Sequence, residues 1–462
     1  MGKDRRPNVV VCLCDQMRAH EVGCYGGQAA TPHIDALAAA GVRFEHAASS
    51  NPVCMPARSC LLSGQYSRTC MGYLSNVVEP LPDGRKALPE YPVRERVHLP
   101  DPTLAETLRD AGYRTELIGK WHVHPAPEVV GFDHALYPRV HHRHTGQRFL
   151  ETGQHERPVD GYSVEFEARK LREFLDRPHG RPFFLFYSIS PPHMPLMDMP
   201  ERYREMVRPE EVRLRPNVWR DGQMAASEEW FRVYAWDFLY YQEKLPHTLA
   251  LPEGFDLRAL TALYLGAIAW VDDMVGRLME GLRASGLLES TLVVFTSDHG
   301  DNLGSHHLFN KDQLFEESIR VPLVVSWPGR LRPRVVTEQV AQTVDLAPTL
   351  ASLAGAPMRS RAQGRDLTPV IEGRASRLEE SGAFVETSGG LIGLRTPERM
   401  VGARLAADRR TVAEPVHCHY DLRADPYEME SLPDDAEASA LRERLLRWHR
   451  ETPWMRPRRP PS

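Results

Sequence analysis

The sequence predicts an α/β fold in which helices flank a large, mixed and mostly parallel sheet, and a smaller antiparallel sheet follows. Two observations predict this class. Continuous apolar runs of strand length, such as Val9–Leu13, are typical of strands buried on both faces of a parallel sheet, and helical patterns separate them. After about residue 355, short strand-like segments follow one another instead. We therefore expect a domain over residues 1–355 and a C-terminal α+β subdomain over residues 356–462.

The composition is that of an ordinary globular protein and excludes several functional classes. Of the 462 residues, 42% are hydrophobic and 26% are charged, and the formal net charge of −5 gives no reason to expect nucleic-acid or membrane binding. The seven cysteines form no disulfide framework. The apolar runs are too short to span a membrane, and the N-terminus lacks the apolar region of a signal peptide, so we expect a cytoplasmic protein. The oligomeric state stays open.

The first strand pattern ends in two polar side chains. Val9–Leu13 runs into Asp15 and Gln16, and open α/β sheets bind ligands at such carboxyl ends of strands. A capping aspartate in a turn is the alternative interpretation. A short helix is predicted over residues 31–41, with a proline near its start and a closing glycine, and a second strand over residues 42–46.

The next segment places a cysteine just ahead of a helix start. Pro56 suits the first turn of a helix, so Cys54 would lie where free N–H groups and the helix dipole favour anions. Arg58 adds a positive charge nearby. This is a nucleophile position suited to an anionic group, whereas a small buried cysteine is the alternative.

Two further strand patterns end in groups that can carry positive charge. Tyr113–Ile118 is followed by Lys120 and His122, which share one face of an extended backbone. Pro182–Ile189 leads to His193, whose backbone is restricted by neighbouring prolines. A surface lysine and structural histidines are the alternatives for each group taken alone.

Residues 197–257 form a stretch too long for an ordinary connection. We predict an insertion near the active-site face, whose aromatic residues either meet the substrate or pack in a small core of their own. The histidine-rich segment His141–His144 is a second candidate to line the pocket. The aromatic residues of the insertion include Trp219, Trp230, Tyr234, Trp236, Tyr240 and Tyr241.

A long amphipathic helix, Leu257–Leu287, precedes the strongest remaining strand pattern. That strand, Thr291–Phe295, runs into Asp298 and His299, and Lys311 follows in a loop. Carboxylate, imidazole and amide oxygen groups together suit a divalent cation, although Asp298 and His299 alone would indicate a polar turn. The segments predicted for the antiparallel sheet and the closing helix are Gly382–Glu386, Leu391–Leu394, Arg399–Leu405, His417–Asp421 and Ala436–Glu451.

The polar groups that follow the strands are informative in combination. In a parallel α/β sheet the carboxyl ends of the strands meet at one crevice. That crevice would hold a divalent cation site, a nucleophile and several cations. A metal can polarise a nucleophile and its target, and cations can offset charge on the leaving group. We therefore predict the transfer of a tetrahedral oxyanion.

Several short motifs occur along nearly the whole chain, apart from residues 197–257. They are Cys54-Met55-Pro56-Ala57-Arg58 with Leu61–Gly64, Gly119–His122, Ser297–Gly300, Arg320–Pro322, Tyr420–Leu422 and Asp425-Pro426. Together they resemble the motifs of the type I sulfatases. That resemblance implies the alkaline-phosphatase-like fold and hydrolysis of a sulfate monoester carried by a small molecule or a saccharide.

The resemblance also implies a role for each polar group. A formylglycine-generating enzyme would oxidise Cys54 to Cα-formylglycine; one hydroxyl of its hydrate attacks sulfur and the other later expels sulfate. Arg58 would steady this diol, and His122 or His193 would serve in proton transfer. The implied metal ligands are Asp15, Gln16, Cys54 in its modified form, Asp298 and His299. The implied sulfate-binding residues are Lys120, His122, His193 and Lys311, with Asn76 a further candidate.

Two positions depart from the usual pattern of the family. Gln16 replaces a second aspartate and His299 replaces an asparagine that is frequent there. Calcium is the expected ion, but the neutral amide and the imidazole leave manganese as an alternative. The same two residues resemble the formylglycine-dependent phosphonate monoester and phosphodiester hydrolases, whereas Lys120 and His122 follow the sulfatase pattern. A non-catalytic, anion-binding relative with unmodified Cys54 is the third hypothesis.

Overall fold

The computed structural model describes most of the chain. The described residues are 6–72, 75–76, 79–80, 86–87, 94–139, 142–224, 231, 235, 239, 251, 253–358 and 361–455. Six residues named above lie outside these ranges: His141, Trp230, Tyr234, Trp236, Tyr240 and Tyr241.

Strands and helices alternate through the first part of the chain, and strands follow one another near its end. The described strands are β1 (Asn8–Asp15), β2 (Val42–Ala48), β3 (Glu79–Pro80), β4 (Lys86–Ala87), β5 (Arg114–Gly119), β6 (His134–Pro138), β7 (Arg148–Glu151), β8 (Arg157–Pro158), β9 (Phe183–Pro192), β10 (Trp219–Arg220), β11 (Gln223–Met224), β12 (Thr291–Ser297), β13 (Leu323–Ser326), β14 (Arg334–Gln342), β15 (Ala383–Glu386), β16 (Leu391–Arg395), β17 (Arg399–Leu405) and β18 (Val412–Asp421). The described α-helices are α1 (Pro32–Ala39), α2 (Cys54–Ser63), α3 (Ser67–Cys70), α4 (Leu104–Asp110), α5 (Ser163–Leu175), α6 (Glu201–Arg204), α7 (Leu257–Ala284), α8 (Glu316–Ile319), α9 (Leu346–Leu353), α10 (Thr368–Ile371) and α11 (Ala436–Glu451).

A ten-stranded sheet forms the centre of the protein, with the strand order β14-β2-β13-β12-β1-β9-β5-β6-β7-β8. Its middle is parallel: β1 pairs with β12 and β9, and β5 pairs with β9 and β6. β13 is antiparallel to both of its neighbours. The predicted fold class is therefore confirmed.

The central strand β1 is apolar on both faces because a core lies on each side of the sheet. Val10 and Cys12 pack in one core, which includes α5 and α7. Val9 and Val11 alternate with them and pack in the other core, which includes α2 and α4. This arrangement explains why the run reads as continuously hydrophobic.

The helix α7 belongs to the first of these cores. Its length and mean hydropathy would let it cross a membrane, but 78% of its most apolar window is buried inside the fold. Asp256 caps its start by accepting hydrogen bonds from the backbone N–H groups of Arg258 and Ala259. The helix ends at Ala284, three residues before the predicted end.

The C-terminal part contains the predicted antiparallel sheet, in the order β15-β16-β17-β18, and α11 packs against it. A buried ion pair joins it to the large domain: Arg68 Nε lies 2.6 Å from Glu386 Oε2. Val370 and Ile371 of α10 lie in the same core as the strands of the large sheet. The division at residue 355 stays a prediction.

The described part of the insertion packs against α7. Tyr203 stacks on Trp270, with ring centroids 5.8 Å apart, and Val212 and Val218 are buried in the same core. Trp219 is 44% exposed. This part of residues 197–257 therefore packs into a core of the large domain and not into a small core of its own.

Candidate active site

Four neighbouring strands of the large sheet lead to polar residues at one edge. β12, β1, β9 and β5 lie side by side and are parallel. Asp15 is the last residue of β1, whereas Lys120, His193 and Asp298 directly follow β5, β9 and β12. The carboxyl ends of parallel strands thus bring these four side chains to one crevice, as predicted.

The helix α2 delivers Cys54 to this crevice. Cys54 is its first residue, one position closer to the helix than the sequence predicted, and it is fully buried. Pro56 is tolerated in the first turn because its missing N–H would have no intrahelical partner. The side-chain oxygen of Asn76 accepts a hydrogen bond from the backbone N–H of Met55, with a length of 2.9 Å. Asn76 therefore holds the start of α2, and its anion contact stays a prediction.

Four buried side chains form a group that could hold a metal ion. One ligand atom from each of Asp15, Cys54, Asp298 and His299 lies within 4.8 Å of the others. Cys54 Sγ is 3.2 Å from His299 Nε2 and 3.5 Å from Asp15 Oδ1. His299 Nδ1 lies 2.8 Å from the carbonyl oxygen of Gly300, so Nδ1–H donates there and Nε2 faces the group. Two carboxylates and an oriented imidazole fit a divalent cation.

Gln16 lies beside this group with a fixed orientation. Its Nε2 donates to a carboxylate oxygen of Asp301, which can only accept when ionised, and its Oε1 accepts from Lys311 Nζ at 3.1 Å. Lys311 Nζ is also 2.9 Å from Cys54 Sγ. The amide oxygen of Gln16 is therefore directed to the side of the crevice that holds the cysteine.

Arg58 connects the carboxylates to the neighbouring strands. Its Nε donates to Asp298 Oδ2 at 2.9 Å, and its Nη2 lies 3.5 Å from Asp15 Oδ2. Its Nη1 donates to Ser188 Oγ at 2.7 Å and to the backbone oxygen of Lys120 at 3.2 Å. Lys120 Nζ in turn contacts Asp15 Oδ2. Because Arg58 is fully buried, these contacts leave its guanidinium with little freedom to move.

The positive charges determine which groups ionise. Burial opposes ionisation of Cys54, but Lys311, Lys120 and His299 hold the pKa of its thiol well below the usual range. Burial likewise opposes ionisation of Asp15, yet the cations around it lower its pKa. For Asp298, burial and the charge of Asp15 dominate and raise its pKa. The crevice is therefore built to stabilise negative charge on the group at position 54.

Three imidazole rings form one wall of the crevice. His142 stacks on His193, with ring centroids 3.8 Å apart, and meets His122 edge to face at 5.6 Å. His142 Nδ1 is 3.3 Å from Lys120 Nζ. Burial lowers the pKa of all three histidines, to about 4 for His122, although hydrogen bonding with Cys54 opposes this shift for His122 and His193. The neutral rings can each donate or accept a proton near the nucleophile.

The structure thus brings together all the predicted metal, nucleophile and cationic residues, while their individual roles stay predictions. Asp301 and Ser188 are not among the predicted site residues, and His142 is predicted only as part of the histidine-rich segment His141–His144. Asp301 comes three residues after Asp298, close enough to the strand end to have signalled a contact. Ser188 lies inside a buried strand, where nothing distinguishes it from a structural serine.

The family model for sulfatases matches residues 7–356 of this chain. This chain belongs to the sulfatase family. It is 26% identical to the N-acetylglucosamine-6-O-sulfatase of Bacteroides thetaiotaomicron, over 97% of this chain and 86% of that protein. It is also 26% identical to the multifunctional alkaline phosphatase superfamily protein PehA of Trinickia caryophylli, over 94% of this chain and 93% of that protein.

A solved structure shows the same fold. BT4656, in complex with its substrate D-glucosamine-2-N,6-O-disulfate, superposes with a TM-score of 0.77 over 97% of each chain, at 24% sequence identity. The sulfatase family and its named members make this chain an enzyme that hydrolyses sulfate esters. The alkaline-phosphatase-like fold implied by the motifs is confirmed.

Proposed function

We propose that this sulfatase acts through a formylglycine derived from Cys54, together with one divalent cation. The observation that carries the proposal is the position of Cys54 Sγ, 2.9 Å from Lys311 Nζ and 3.2 Å from His299 Nε2, inside a buried group of carboxylates. When hydrated, the formylglycine would supply a geminal diol. One hydroxyl would attack sulfur, and the other would later lose its proton and expel sulfate as the aldehyde re-forms. The side chain at position 54 would thus be both nucleophile and release group.

The residues of the chain itself would position the substrate and handle charge. Arg58 is anchored to Asp298 and Ser188, so it would hold the diol without moving during the reaction. The charges of Lys120 and Lys311 both act on position 54, and these two side chains would bind the oxygens of the sulfate. His193 Nδ1 donates to the carbonyl oxygen of Met194 at 2.8 Å, which leaves its Nε2 for proton exchange with the leaving alcohol.

The cation would be held by Asp15, Gln16, Asp298, His299 and the modified residue 54. It would polarise the hydroxyl and the sulfate oxygens. We propose calcium, because two carboxylates and an amide oxygen are ligands that calcium prefers. Manganese is the alternative, since the imidazole of His299 suits a transition metal. Activity recovered after chelation by calcium alone would support the first ion, and recovery by manganese alone would support the second.

We propose a sulfated saccharide as the substrate. In support, one relative is named for N-acetylglucosamine-6-O-sulfate and a solved neighbour binds a sulfated glucosamine. The wall of His122, His142 and His193 offers hydrogen-bonding groups of the kind that sugar hydroxyls require. Turnover of sulfated saccharides should exceed that of a simple aryl sulfate. The reverse order would favour a small-molecule ester.

The maturation of the enzyme requires a partner. Cys54 is fully buried in the folded chain, so a formylglycine-generating enzyme would have to reach it before folding is complete. We expect the peptide containing residue 54 to be lighter than an unmodified cysteine peptide, because CHO replaces CH₂–SH. An unmodified peptide from an active preparation would contradict the mechanism. Cytoplasmic localisation stays a prediction.

A phosphonate monoester or phosphodiester hydrolase is the second candidate function. Gln16 and His299 favour it, as does similarity to a multifunctional member of the superfamily. The comparison of an aryl sulfate with an aryl phosphonate, both with the same leaving group, decides between them. Faster hydrolysis of the phosphonate would reverse our order. Cys54→Ala should abolish turnover of both substrates with an unchanged unfolding transition, and a fully active variant would exclude residue 54 as the nucleophile.

A further inference from the structure

A second group of buried metal-binding side chains lies outside the crevice. One ligand atom from each of His306, Glu317 and Glu428 lies within 4.8 Å of the others. Glu317 is fully buried and Glu428 is 2% exposed. His306 comes from the segment that also carries Lys311, Glu317 from the helix α8 that follows it, and Glu428 from the distant turn after β18.

In Glu317 and in Glu428, one carboxylate oxygen accepts hydrogen bonds and the other has no hydrogen-bond partner. Glu317 Oε1 accepts from Arg215 Nε and from Asn217 Nδ2, at 2.7 Å each, whereas Oε2 has no partner and lies 3.8 Å from His306 Nε2. Glu428 Oε2 accepts from the backbone N–H of Glu316 at 2.7 Å, whereas Oε1 has no partner. A buried carboxylate oxygen without a partner is costly, and a metal ligand held through its other oxygen has this arrangement.

His306 is also held in place. Its backbone is left-handed, with φ at 56°, and its ring stacks on Phe315, with centroids 3.6 Å apart and planes within 9° of parallel. Its side chain is 13% exposed, so a path from solvent to the group exists. Its Nε2 lies 3.1 Å from Asn217 Nδ2, so a cation at this nitrogen would displace that contact, while Asn217 keeps its hydrogen bond to Glu317 Oε1.

The charges around the group leave one carboxylate uncompensated. Arg395 pairs with both oxygens of Glu316 at 2.9 Å, and Arg215 pairs with Glu317. Among the described residues, no cation lies within ion-pair distance of Glu428. A bound cation would offset the negative charge of this carboxylate.

We propose that His306, Glu317 and Glu428 bind a divalent transition-metal cation, a site separate from the one at Cys54. One imidazole and two carboxylates suit zinc or manganese. The ion would fasten the loop that carries Lys311 to the C-terminal subdomain. The site would therefore add to stability and take no part in the chemistry of the sulfate.

Zinc binding by a variant without the first site tests the proposal. The background carries Asp298→Asn and His299→Ala, together with His33→Ala, because His33 forms a further group with Asp272 and Asp273 that could also take zinc. Titration of the metal-free background protein with zinc in a calorimeter should show one equivalent bound. Adding Glu428→Gln should remove it, whereas Glu372→Gln, an exposed glutamate, should not.

The remaining outcomes decide against the proposal. A background protein that binds no zinc, or that binds it equally well with Glu428→Gln and with His306→Gln, would overturn the site and leave ordered water as the partner of the two oxygens. If Glu428→Gln fails to fold, His306→Gln decides alone, because that side chain is partly exposed and its loss leaves the carboxylates in place. Sulfate turnover is not the readout, so failure here says nothing about the proposed function.

Discussion

Gln16 donates a hydrogen bond from its side-chain nitrogen to the carboxylate of Asp301, and this contact fixes which way the amide faces. An ionised carboxylate accepts and does not donate, so the amide oxygen must turn away from it. That oxygen then meets Lys311 at 3.1 Å, beside Cys54. A neutral oxygen is thereby presented to the side of the crevice that holds Cys54.

Asp301→Asn should weaken binding of the divalent cation at the crevice. The asparagine can donate as well as accept, so the amide of Gln16 is free to reverse and place its NH₂ group towards the site. Loss of a group that orients a ligand typically costs 10- to 100-fold in metal affinity, and we expect a loss of roughly that size. Calorimetric titration with calcium and manganese measures it. Asp408→Asn, in an exposed turn, is the control, and equal affinities in all three proteins would contradict the role of Asp301.

The large sheet and the polar groups at its strand ends were predictable because both have local signals. A run such as Val9–Leu13 is apolar throughout because a core lies on each side, and the change to Asp15 and Gln16 occurs where the strand leaves those cores. Parallel pairing then dictates that the ends meet. No residue beyond the strand end needs to be known for this inference.

Contacts between distant segments were not predictable in the same way. Asp301 orients Gln16 across 285 positions, and Ser188 holds Arg58 across 130. Ser188 carries no local pattern that distinguishes it from another strand residue, and the position of Asp301 near a strand end does not identify its partner. The stacking of His142 on His193 likewise depends on the path by which a loop returns to the sheet. No local sequence pattern predicts that path.

Arg58→Ala should destabilise the fold as well as abolish activity. The guanidinium is fully buried between Asp15 and Asp298, and its removal leaves two buried carboxylates without that partner. Breaking a buried ion pair on one side typically costs about 3–5 kcal/mol of the free energy of unfolding. Urea unfolding measures the loss. Arg148→Ala removes an exposed pair with Glu156 and should cost less than about 1 kcal/mol; equal losses for the two variants would show that burial does not matter here.

His142→Ala should lower kcat/KM for the sulfate ester. His142 stacks on His193 and lies 3.3 Å from Lys120 Nζ, so its loss frees two groups that contact the proposed substrate site. A hydrogen bond to a charged group is worth roughly 1.5–3 kcal/mol, which predicts a decrease of about 10- to 100-fold. Steady-state kinetics measures it, and His142→Gln should recover part of the rate if the contact with Lys120 is what matters. An unchanged kcat/KM in His142→Ala would exclude this histidine from the site.

The buried histidines should make the protein sensitive to mild acid. Burial lowers the pKa of His98 and of His124 to about 4, whereas a histidine in the unfolded chain has a pKa of about 6.5. Between these values the unfolded state binds more protons. Their contribution to stability is therefore complete above about pH 6.5 and is lost as the pH falls towards 4.

His98→Gln should reduce this acid sensitivity. The glutamine cannot take up the proton, so the free energy of unfolding should fall less between pH 7 and pH 4.5 than in the parent protein, by on the order of 2 kcal/mol. Urea unfolding at the two pH values measures the loss of stability in each protein. Comparing the variant with the parent removes the contribution of groups that titrate alike in both. His155→Gln, at an exposed position, should leave the loss unchanged. If both variants lose as much stability as the parent, protonation of His98 does not drive the acid transition.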